Sequence, residues 1–341
     1  MTGIKDVAAL AGVSVATVSR ALSGNGKVSA AASERVHAAA ESLGYVVSYN
    51  ASSLASGRSR NIGLVMPTVG RWFFSTVLQG ATSALIDAGY DLTLYNTGGE
   101  QRHRDSVFSE LLLRKRLDGV ITVTLKLEPD EINQLASVGK PVVAIGGHIP
   151  RIDTIQVDDF NIAALATEHL IGLGHRELSF LGGTEEFEVD FKLGSAREDG
   201  FESAMNQAGL PVRRDWLLTA DFSTAGAYQK IRNVLANPRR RPTGFVCASD
   251  EMAFGAIFAA RDLGLRVPED VSVIGIDGHE LGELLGLTTI AQDPGGQGAA
   301  AVGKLLSLLD GADPAMGPDP TAGFHPTEFT SRTSTGVPPQ R

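Results

Sequence analysis

The sequence predicts a small all-α N-terminal domain followed by a larger α/β core of two doubly wound, parallel-sheet subdomains. The first 45 residues carry apolar side chains at helical spacing, interrupted by glycine and serine turn signals. From residue 61 onward, short apolar runs alternate with amphipathic helices, and this alternation restarts near residue 154. Such a pattern is typical of a parallel sheet with helices on both faces.

Residues 4–22 predict a helix-turn-helix. The inner faces of the two helices are apolar: Ile4, Val7, Ala8 and Ala11 in the first, and Val18, Ala21 and Leu22 in the second. Gly12 supplies the permissive backbone of the turn, and Ser14 caps the second helix. Ala16, Thr17 and Arg20 face outward from that helix. Short side chains and a guanidinium suit a helix pressed into the major groove of DNA.

A third helix and a linker complete the N-terminal part. Ser29 is expected to cap a helix over residues 30–42, and Gly44 closes it. Residues 46–60 are small and polar with a basic end, a composition typical of a linker. We therefore divide the chain into a DNA-binding domain at 1–45, a hinge or linker at 46–60, and a core at 61–341.

Charge is distributed unevenly along the chain. Residues 1–60 hold six Lys or Arg and three Asp or Glu, a net charge of +3. The other 24 basic and 36 acidic residues give −12, so the whole chain has a net charge of −9. A basic N-terminal part on an acidic body indicates phosphate binding by that part alone. Because +3 is a modest charge, we expect two copies to act together on DNA.

The remaining composition limits the class of protein. The 341 residues are 43% hydrophobic and 20% charged, which is ordinary for a water-soluble protein. No apolar run reaches the roughly 20 residues that span a bilayer, and no signal-peptide pattern opens the chain. The single cysteine, Cys247, lies in an apolar strand and is expected to be a buried thiol. We expect a cytoplasmic protein without membrane association.

The core elements follow from the alternation of patterns. Strands are expected at 61–67, 90–96, 118–123, 141–146, 154–158, 177–183, 216–220, 243–249, 271–277 and 288–293, with a short strand pair at the end. Helices are expected near 74–88, 102–115, 129–138, 159–173, 195–208, 224–236, 250–263 and 295–310. Ligands of such sheets bind at the carboxyl ends of the strands. The cleft between the two halves is therefore the expected site, with closure as a hinge motion.

Several side chains directly follow these strands. Phe73 and Phe74 follow the first strand, where core packing and stacking on a sugar ring are both open interpretations, with Phe74 the better stacking candidate. Phe222 offers a second stacking face, and Asp277 ends an apolar strand with a carboxylate that can accept two hydroxyls. Asp159 or Asn161 is expected to cap the next helix.

Residues 4–22 strongly resemble the opening signature of the lac-repressor/galactose-repressor family of transcription regulators, and further matches recur over about 330 residues. The resemblance implies that Val15 and Ala16 choose bases, with Arg20 as the third reader. It assigns phosphate or backbone contacts to a further group: Ser14, Thr17, Ser19 and Asn25.

The resemblance also assigns a role to residues 46–60. In the family this stretch folds into a hinge helix on operator DNA, and one leucine per subunit enters the minor groove. Leu54 matches that leucine, and Ala51 matches a neighbouring groove contact. The chain departs from the family at Val47 and Ser48, where a Pro-Asn pair is usual as a helix start. This departure puts the stability of the hinge helix in question.

For the core, the resemblance implies a periplasmic-binding-protein-like body with three crossings, near 158–162, 285–292 and 320–324. The first subdomain would comprise about 61–158 and 292–320, and the second about 162–286 and 323–336. The family's effector contacts fall on Arg197 in the A-R-x-x-G-F motif and on a set of polar residues: Asp159, Asn161, Ser249 and Gln292. Asp250 is expected in the first turn of its helix, favoured by the helix dipole.

The sequence predicts neither an enzyme nor a metal or cofactor site. It contains no HExxH, GxxxxGK[ST] or GxSxG motif and no paired-cysteine spacing, and its seven histidines are scattered. We expect a homodimeric repressor that binds a palindromic operator under control of a small effector, with a sugar favoured. A purine corepressor, a sugar receptor without a regulatory role and a sugar-modifying enzyme are the alternatives.

Overall fold

The structure is a computed structural model with two compact units, residues 1–60 and 61–341. It describes residues 3–23, 28–45, 58–98, 100–112, 116–125, 127–137, 139–147, 149, 151–183, 193–312 and 323–340. Asn25, Val47, Ser48, Ala51 and Leu54, to which the sequence assigns DNA-related roles, lie outside these residues.

The N-terminal unit contains three helices in the described residues: α1 (Ile4–Ala11), α2 (Val15–Ser23) and α3 (Ala30–Ser42). Gly12 ends α1 in the left-handed conformation, at φ 64°. The Ser29 hydroxyl accepts the Ala32 N–H at the start of α3, as the sequence predicts. Val7, Val18 and Val36 are fully buried where the helices meet. Branched apolar side chains and small alanines thus form a core of minimal size.

The first subdomain of the core unit contains a five-stranded parallel sheet in the order β2-β1-β3-β4-β5. Its elements are β1 (Asn61–Met66), α4 (Trp72–Asp87), β2 (Asp91–Asn96), α5 (Gln101–Ser106), a π turn (Val107–Leu111), β3 (Gly119–Val123), α6 (Pro129–Ser137), β4 (Val142–Ile145) and β5 (Asp153–Ile155). Buried apolar side chains from β1 and β3 pack beneath α4 on one face. Continuous burial along these strands explains their uninterrupted apolar runs.

The second subdomain has a six-stranded sheet in the order β11-β10-β9-β8-β6-β7, parallel except for β11. Its elements are α7 (Asp159–Gly172), β6 (Leu178–Gly183), α8 (Leu193–Gln207), a 3₁₀ turn (Arg214–Trp216), β7 (Leu217–Ala220), α9 (Thr224–Leu235), β8 (Gly244–Cys247), α10 (Asp250–Asp262), β9 (Ser272–Asp277), α11 (Leu281–Leu285), β10 (Thr288–Ala291) and β11 (Glu328–Thr330). The largest apolar core of the molecule lies here. Cys247 belongs to it as a free, fully buried thiol, as predicted.

Helix α12 (Pro294–Leu309) follows β10 in sequence but packs on α4 and on β3 and β4 of the first sheet. The chain therefore returns to the first subdomain directly after Gln292. The contact between α4 and α12 is made through glycine backbones. A Cβ atom on Gly80 would lie 2.0 Å from the Gly295 carbonyl oxygen, and one on Gly298 would lie 2.3 Å from that of Val77. Only glycine permits this approach at either position.

The predicted fold class is confirmed, with local corrections. Helix α4 begins at Trp72, two residues earlier than the sequence suggests. Asp158, and not Asp159 or Asn161, caps α7, because its carboxylate accepts the Asn161 N–H at 3.0 Å. The short helix α11 was not predicted, and the described residues form one strand, β11, where a final pair was expected.

Candidate functional site

Helix α2 presents the residues that the sequence assigns to DNA. Ser14 caps it by accepting the Thr17 N–H at 3.1 Å, and burial of Val18 fixes which face is turned inward. Val15 is 41% exposed, and Ala16, Ser19 and Arg20 are exposed too. Thr17 is half-buried, and its hydroxyl lies 2.9 Å from that of Ser14. The predicted base-reading face is thus the exposed face of the helix.

A buried polar network occupies the carboxyl ends of the second sheet. Arg197 of α8 is 2% exposed and donates to the Asp159 carboxylate at 2.8 Å and to the Ala248 carbonyl oxygen. Asp277, at the end of β9, accepts the Gln292 side-chain N–H at 2.6 Å. Four of the predicted effector residues therefore form two hydrogen-bonded pairs, Arg197 with Asp159 and Gln292 with Asp277, and the charge of Arg197 acts on Asp277.

Asp250, in the first turn of α10, anchors this network, and the sequence did not reveal that role. Its fully buried carboxylate accepts the backbone N–H groups of Gly278 at 2.9 Å and His279 at 2.8 Å. It also accepts the Thr289 hydroxyl at 2.7 Å. These donors satisfy the Asp250 carboxylate and hold the loop that follows β9 in place.

Asp277 differs electrostatically from Asp250. Burial, together with the nearby charge of Asp250, raises the pKa of Asp277 to about 8, although Arg197 and the Gln292 amide act in the opposite direction. Burial also raises the pKa of Asp250, to about 6, while its hydrogen bonds lower it. Among the described residues, Asp277 receives the Gln292 bond and a longer contact of 3.4 Å from the Asp250 N–H. It therefore has hydrogen-bonding capacity left for a ligand.

Arg197 also has donors that no described residue accepts. Three of the five N–H groups of its guanidinium are used in the contacts to Asp159 and Ala248. Burial raises the pKa of Asp159, and the charge of Arg197 opposes that increase. A carboxyl group beside a fixed guanidinium can donate to and accept from the hydroxyl groups of a small polar ring.

The other predicted effector residues have different surroundings. The Ser249 hydroxyl caps α10 by accepting the Met252 N–H at 3.2 Å, and Asn161 is exposed with its amide bonded to Asp158. Phe74 is half-buried, with its ring edge-on to Phe73 at 5.5 Å between centroids. The structure does not place Ser249, Asn161 or Phe74 in the polar network.

Phe222 has a special backbone conformation, with φ at +57°. Its ring lies directly against Gly183, since a Cβ atom there would approach it to 2.0 Å. This left-handed backbone conformation turns Phe222, two residues after β7, toward the end of β6. A strained, non-glycine residue of this kind requires support from the surrounding fold.

A cavity of about 210 Å³ lies beside this network, where β4 ends and α7 begins. Its walls include glycine backbone, a half-buried acid and two exposed aromatic residues: Gly146, Gly147, Asp159, Phe160 and Phe324. Thr124, beside Gly146, has a positive φ of 43° and a buried hydroxyl without a hydrogen-bond partner among the described residues. The volume is below the range usual for drug-sized ligands, so the cavity suits a small ring.

The described part of the chain has neither a metal-binding cluster nor a membrane-spanning helix. No group of three or more His, Cys, Asp or Glu side chains in it is arranged to hold a metal ion. No helix in that part is long and apolar enough to cross a membrane.

Comparison with known proteins identifies both parts of the chain. Residues 3–48 match the family described as "Bacterial regulatory proteins, lacI family", and residues 167–335 match the "Periplasmic binding protein-like domain". The "HTH-type transcriptional repressor PurR" of Actinobacillus pleuropneumoniae serotype 3 (strain JL03) is 33% identical over 334 residues, covering 96% of each chain.

Solved structures of full-length relatives share the fold. The lac repressor dimer bound to operator and the anti-inducer ONPF has a TM-score of 0.85 at 26% identity, covering 98% of this chain and 99% of that one. The transcriptional regulator CelR in complex with cellobiose has a TM-score of 0.71 at 25% identity, covering 98% and 100%.

Proposed function

This chain belongs to the LacI family of bacterial regulatory proteins, and on that premise we propose that a small sugar controls it from the cleft of the core. It is a DNA-binding transcriptional repressor and not an enzyme. We further propose that it acts in the cytoplasm, as a homodimer on a palindromic operator, because two-fold symmetry in the protein demands the same symmetry in the DNA.

One observation carries the effector proposal: the buried Arg197–Asp277–Gln292 arrangement at the carboxyl ends of the second sheet. It offers guanidinium N–H donors that no described residue accepts and a carboxyl group with hydrogen-bonding capacity, which are the groups that recognise ring hydroxyls. The CelR relative binds cellobiose, which supports a carbohydrate as the first class to test. Phe74 and Phe222 supply the aromatic faces of the site.

A purine base is the second candidate. The whole-length relatives are repressors named PurR, and a planar base could stack on the same two aromatic rings. In that version the ligand would strengthen DNA binding as a corepressor. Because coupling is reciprocal, operator DNA must then tighten effector binding, whereas it weakens the binding of an inducer by the same factor.

The effector is tested by a thermal-shift screen of monosaccharides, disaccharides and purine bases, followed by calorimetry on each hit. Asp277→Asn is expected to lower affinity by roughly tenfold or more, since one carboxyl oxygen that can accept from the ligand is replaced by an NH2 group that can only donate. Asp199→Asn, an exposed carboxylate on the same helix as Arg197, is the matched control. Equal binding by the Asp277→Asn variant and the wild type would refute the proposed site.

The DNA half is tested by fluorescence anisotropy with palindromic duplexes centred on CpG, against a scrambled competitor at fixed salt. Arg20→Ala is expected to cost roughly 1–3 kcal/mol of specific binding, because a bidentate guanine contact is lost. Arg102→Ala, an exposed arginine of the core, should bind as the wild type does. Leu54→Ala tests the hinge assignment. Undiminished specificity in the Arg20→Ala variant would remove it as a base reader.

A further inference from the structure

Two consecutive residues at the start of α4, Arg71 and Trp72, contact the second subdomain across the mouth of the cleft. Their partners in the second subdomain are Asp221, which follows β7, Glu251, in the first turn of α10, and His279, which follows β9. The contacts therefore join the carboxyl-end loops of one sheet to the first helix of the other subdomain.

Arg71 makes the charged part of this contact. Its guanidinium donates to the Asp221 carbonyl oxygen at 2.6 Å and lies 3.7 Å from the Asp221 carboxylate. Burial alone would raise the pKa of Asp221, but hydrogen bonds from Ser223 and the charge of Arg71 lower it below its ordinary value. Burial raises the pKa of Glu251, and the charge of the same guanidinium opposes that increase, so one cation acts on two acids of the second subdomain.

Trp72 makes the other part. Its backbone N–H, in the first turn of α4, is close enough to the Glu251 carboxylate to lower the pKa of that acid, which burial raises. First-turn N–H groups have no partner within their own helix, and the helix dipole favours an anion there. The indole stacks on the His279 ring at 4.6 Å with an interplanar angle of 19°, and Phe254 meets the His279 ring edge-on at 5.1 Å.

The His279 ring is held for this stacking. Its Nδ1 accepts the Leu281 N–H at 3.1 Å, which places the proton of the neutral ring on Nε2. Its backbone N–H is bound by Asp250, the residue that anchors the effector network. The ring on which Trp72 stacks is thus held by Asp250, whose carboxylate binds the two residues that follow Asp277.

We propose that Arg71 and Trp72 form a latch that holds the mouth of the cleft closed, with Trp72 as the gate residue for the effector. Its role at the gate rests on the proposed function, because that function places the effector in this cleft. All latch contacts are between protein groups, so they stabilise the closed arrangement independently of any bound molecule. An effector then enters only from the fraction of molecules in which the latch is open, which lowers its apparent affinity.

The latch can be tested without knowing the effector, by measuring distances between two spin labels on the full-length protein. Gln79→Cys on α4 and Gln229→Cys on α9 place labels at exposed positions on the two subdomains. Cys247 need not be removed, because it is fully buried and burial raises its thiol pKa, which makes it inert to the labelling reagent.

The labelled parent is expected to show one narrow, short distance. Combining Arg71→Gln with Trp72→Ala should lower the ratio of closed to open molecules by roughly tenfold or more, the effect of losing one hydrogen bond from a charged group. A second, longer distance should then appear. Trp72→Phe keeps an aromatic face on His279 and should retain the short distance, and Arg102→Gln is the matched control for the arginine.

An unchanged distance distribution in the double variant would overturn the latch, as would a broad, long distribution in the parent. A second measurement covers loss of folding: in a Trp216→Phe background, acrylamide quenching reports Trp72 alone, and Arg71→Gln should increase it while the melting temperature is retained. The two proposals fail separately. A missing effector leaves the distance measurement valid, and a failed latch leaves the Asp277→Asn binding test unaffected.

Discussion

The two subdomains present opposite chemistry at the carboxyl ends of their strands. The second sheet ends in buried charges whose hydrogen bonds come from distant parts of the chain: Asp250, Asp277 and Arg197. The first sheet ends in glycines, the half-buried rings of Phe73 and Phe74, and Thr124, whose buried hydroxyl has no hydrogen-bond partner among the described residues. The second subdomain thus holds its polar groups in fixed positions through hydrogen bonds. The first subdomain has fewer such bonds at its strand ends, so its surface can adjust to a ligand.

The sharpest test of this contrast is Asp250→Ala. The substitution would leave two backbone N–H groups and the Thr289 hydroxyl without their acceptor in a buried site. We expect a loss of about 3–5 kcal/mol in the free energy of unfolding, measured by urea denaturation. A change below 1 kcal/mol would show that the network is not the anchor described above. Asp262→Ala, in the last turn of the same helix, is the control.

A smaller effect is expected from pH. The pKa of Asp277 in the folded chain, about 8, lies above its ordinary value, so this carboxyl takes up a proton on folding. Its contribution to stability is complete below about pH 4 and is lost as the pH rises to about 8. Asp277→Asn removes this titration, and we expect the variant to gain on the order of 2 kcal/mol relative to wild type between pH 5 and pH 9.

Denaturation at a series of pH values measures that gain. Asp215→Asn provides a control of opposite sign, because hydrogen bonding and charge from Arg213 hold the pKa of Asp215 below its ordinary value. The Asp215→Asn variant should be less stable than wild type at neutral pH, and this difference should disappear as the pH falls toward acid values. Parallel pH profiles for wild type and the Asp277→Asn variant would contradict the assignment of a raised pKa to this residue.

The smallest effect is expected in the first subdomain, from Thr124→Val. This change removes a buried hydroxyl that has no described partner and keeps the branched shape at a position with φ of 43°. Stability should stay within ~1 kcal/mol of wild type or increase, as thermal unfolding will show. A loss like that of Asp250→Ala would mean that the hydroxyl is hydrogen-bonded, and would remove the contrast between the two sheets.

Local features of the fold could be predicted from the sequence. Ser29 and Ser14 were identified as caps because capping depends on residues three positions apart. Asp277 is predicted to contact the effector because an acid at the end of an apolar strand is unusual. Helix α10 agreed with prediction to within one residue, since its strong pattern is bounded by a capping serine.

The missed residues depend on contacts between distant segments. The donors to Asp250 lie 28, 29 and 39 positions away, so its role as an anchor is invisible in the local pattern. The sequence does not indicate Trp72, because the predicted start of α4 lies two residues after it. It does not indicate His279, because a histidine in a loop carries no periodic signal. Arg197 was placed at the site by family resemblance, but its ion pair with Asp159 could not be read from the spacing of the two residues.

The glycine contact between α4 and α12 joins the ends of the site mechanically. Helix α4 starts with Trp72 at the rim, and α12 starts two residues after Gln292, the hydrogen-bond partner of Asp277. Because Gly80 and Gly298 bring the two backbones together without intervening side chains, little compressible material separates the helices. We therefore expect a displacement of Gln292 to move α12 and α4 together and so to shift Trp72. A larger side chain at Gly80 or Gly298 would separate the two helices and change the distance that Trp72 moves.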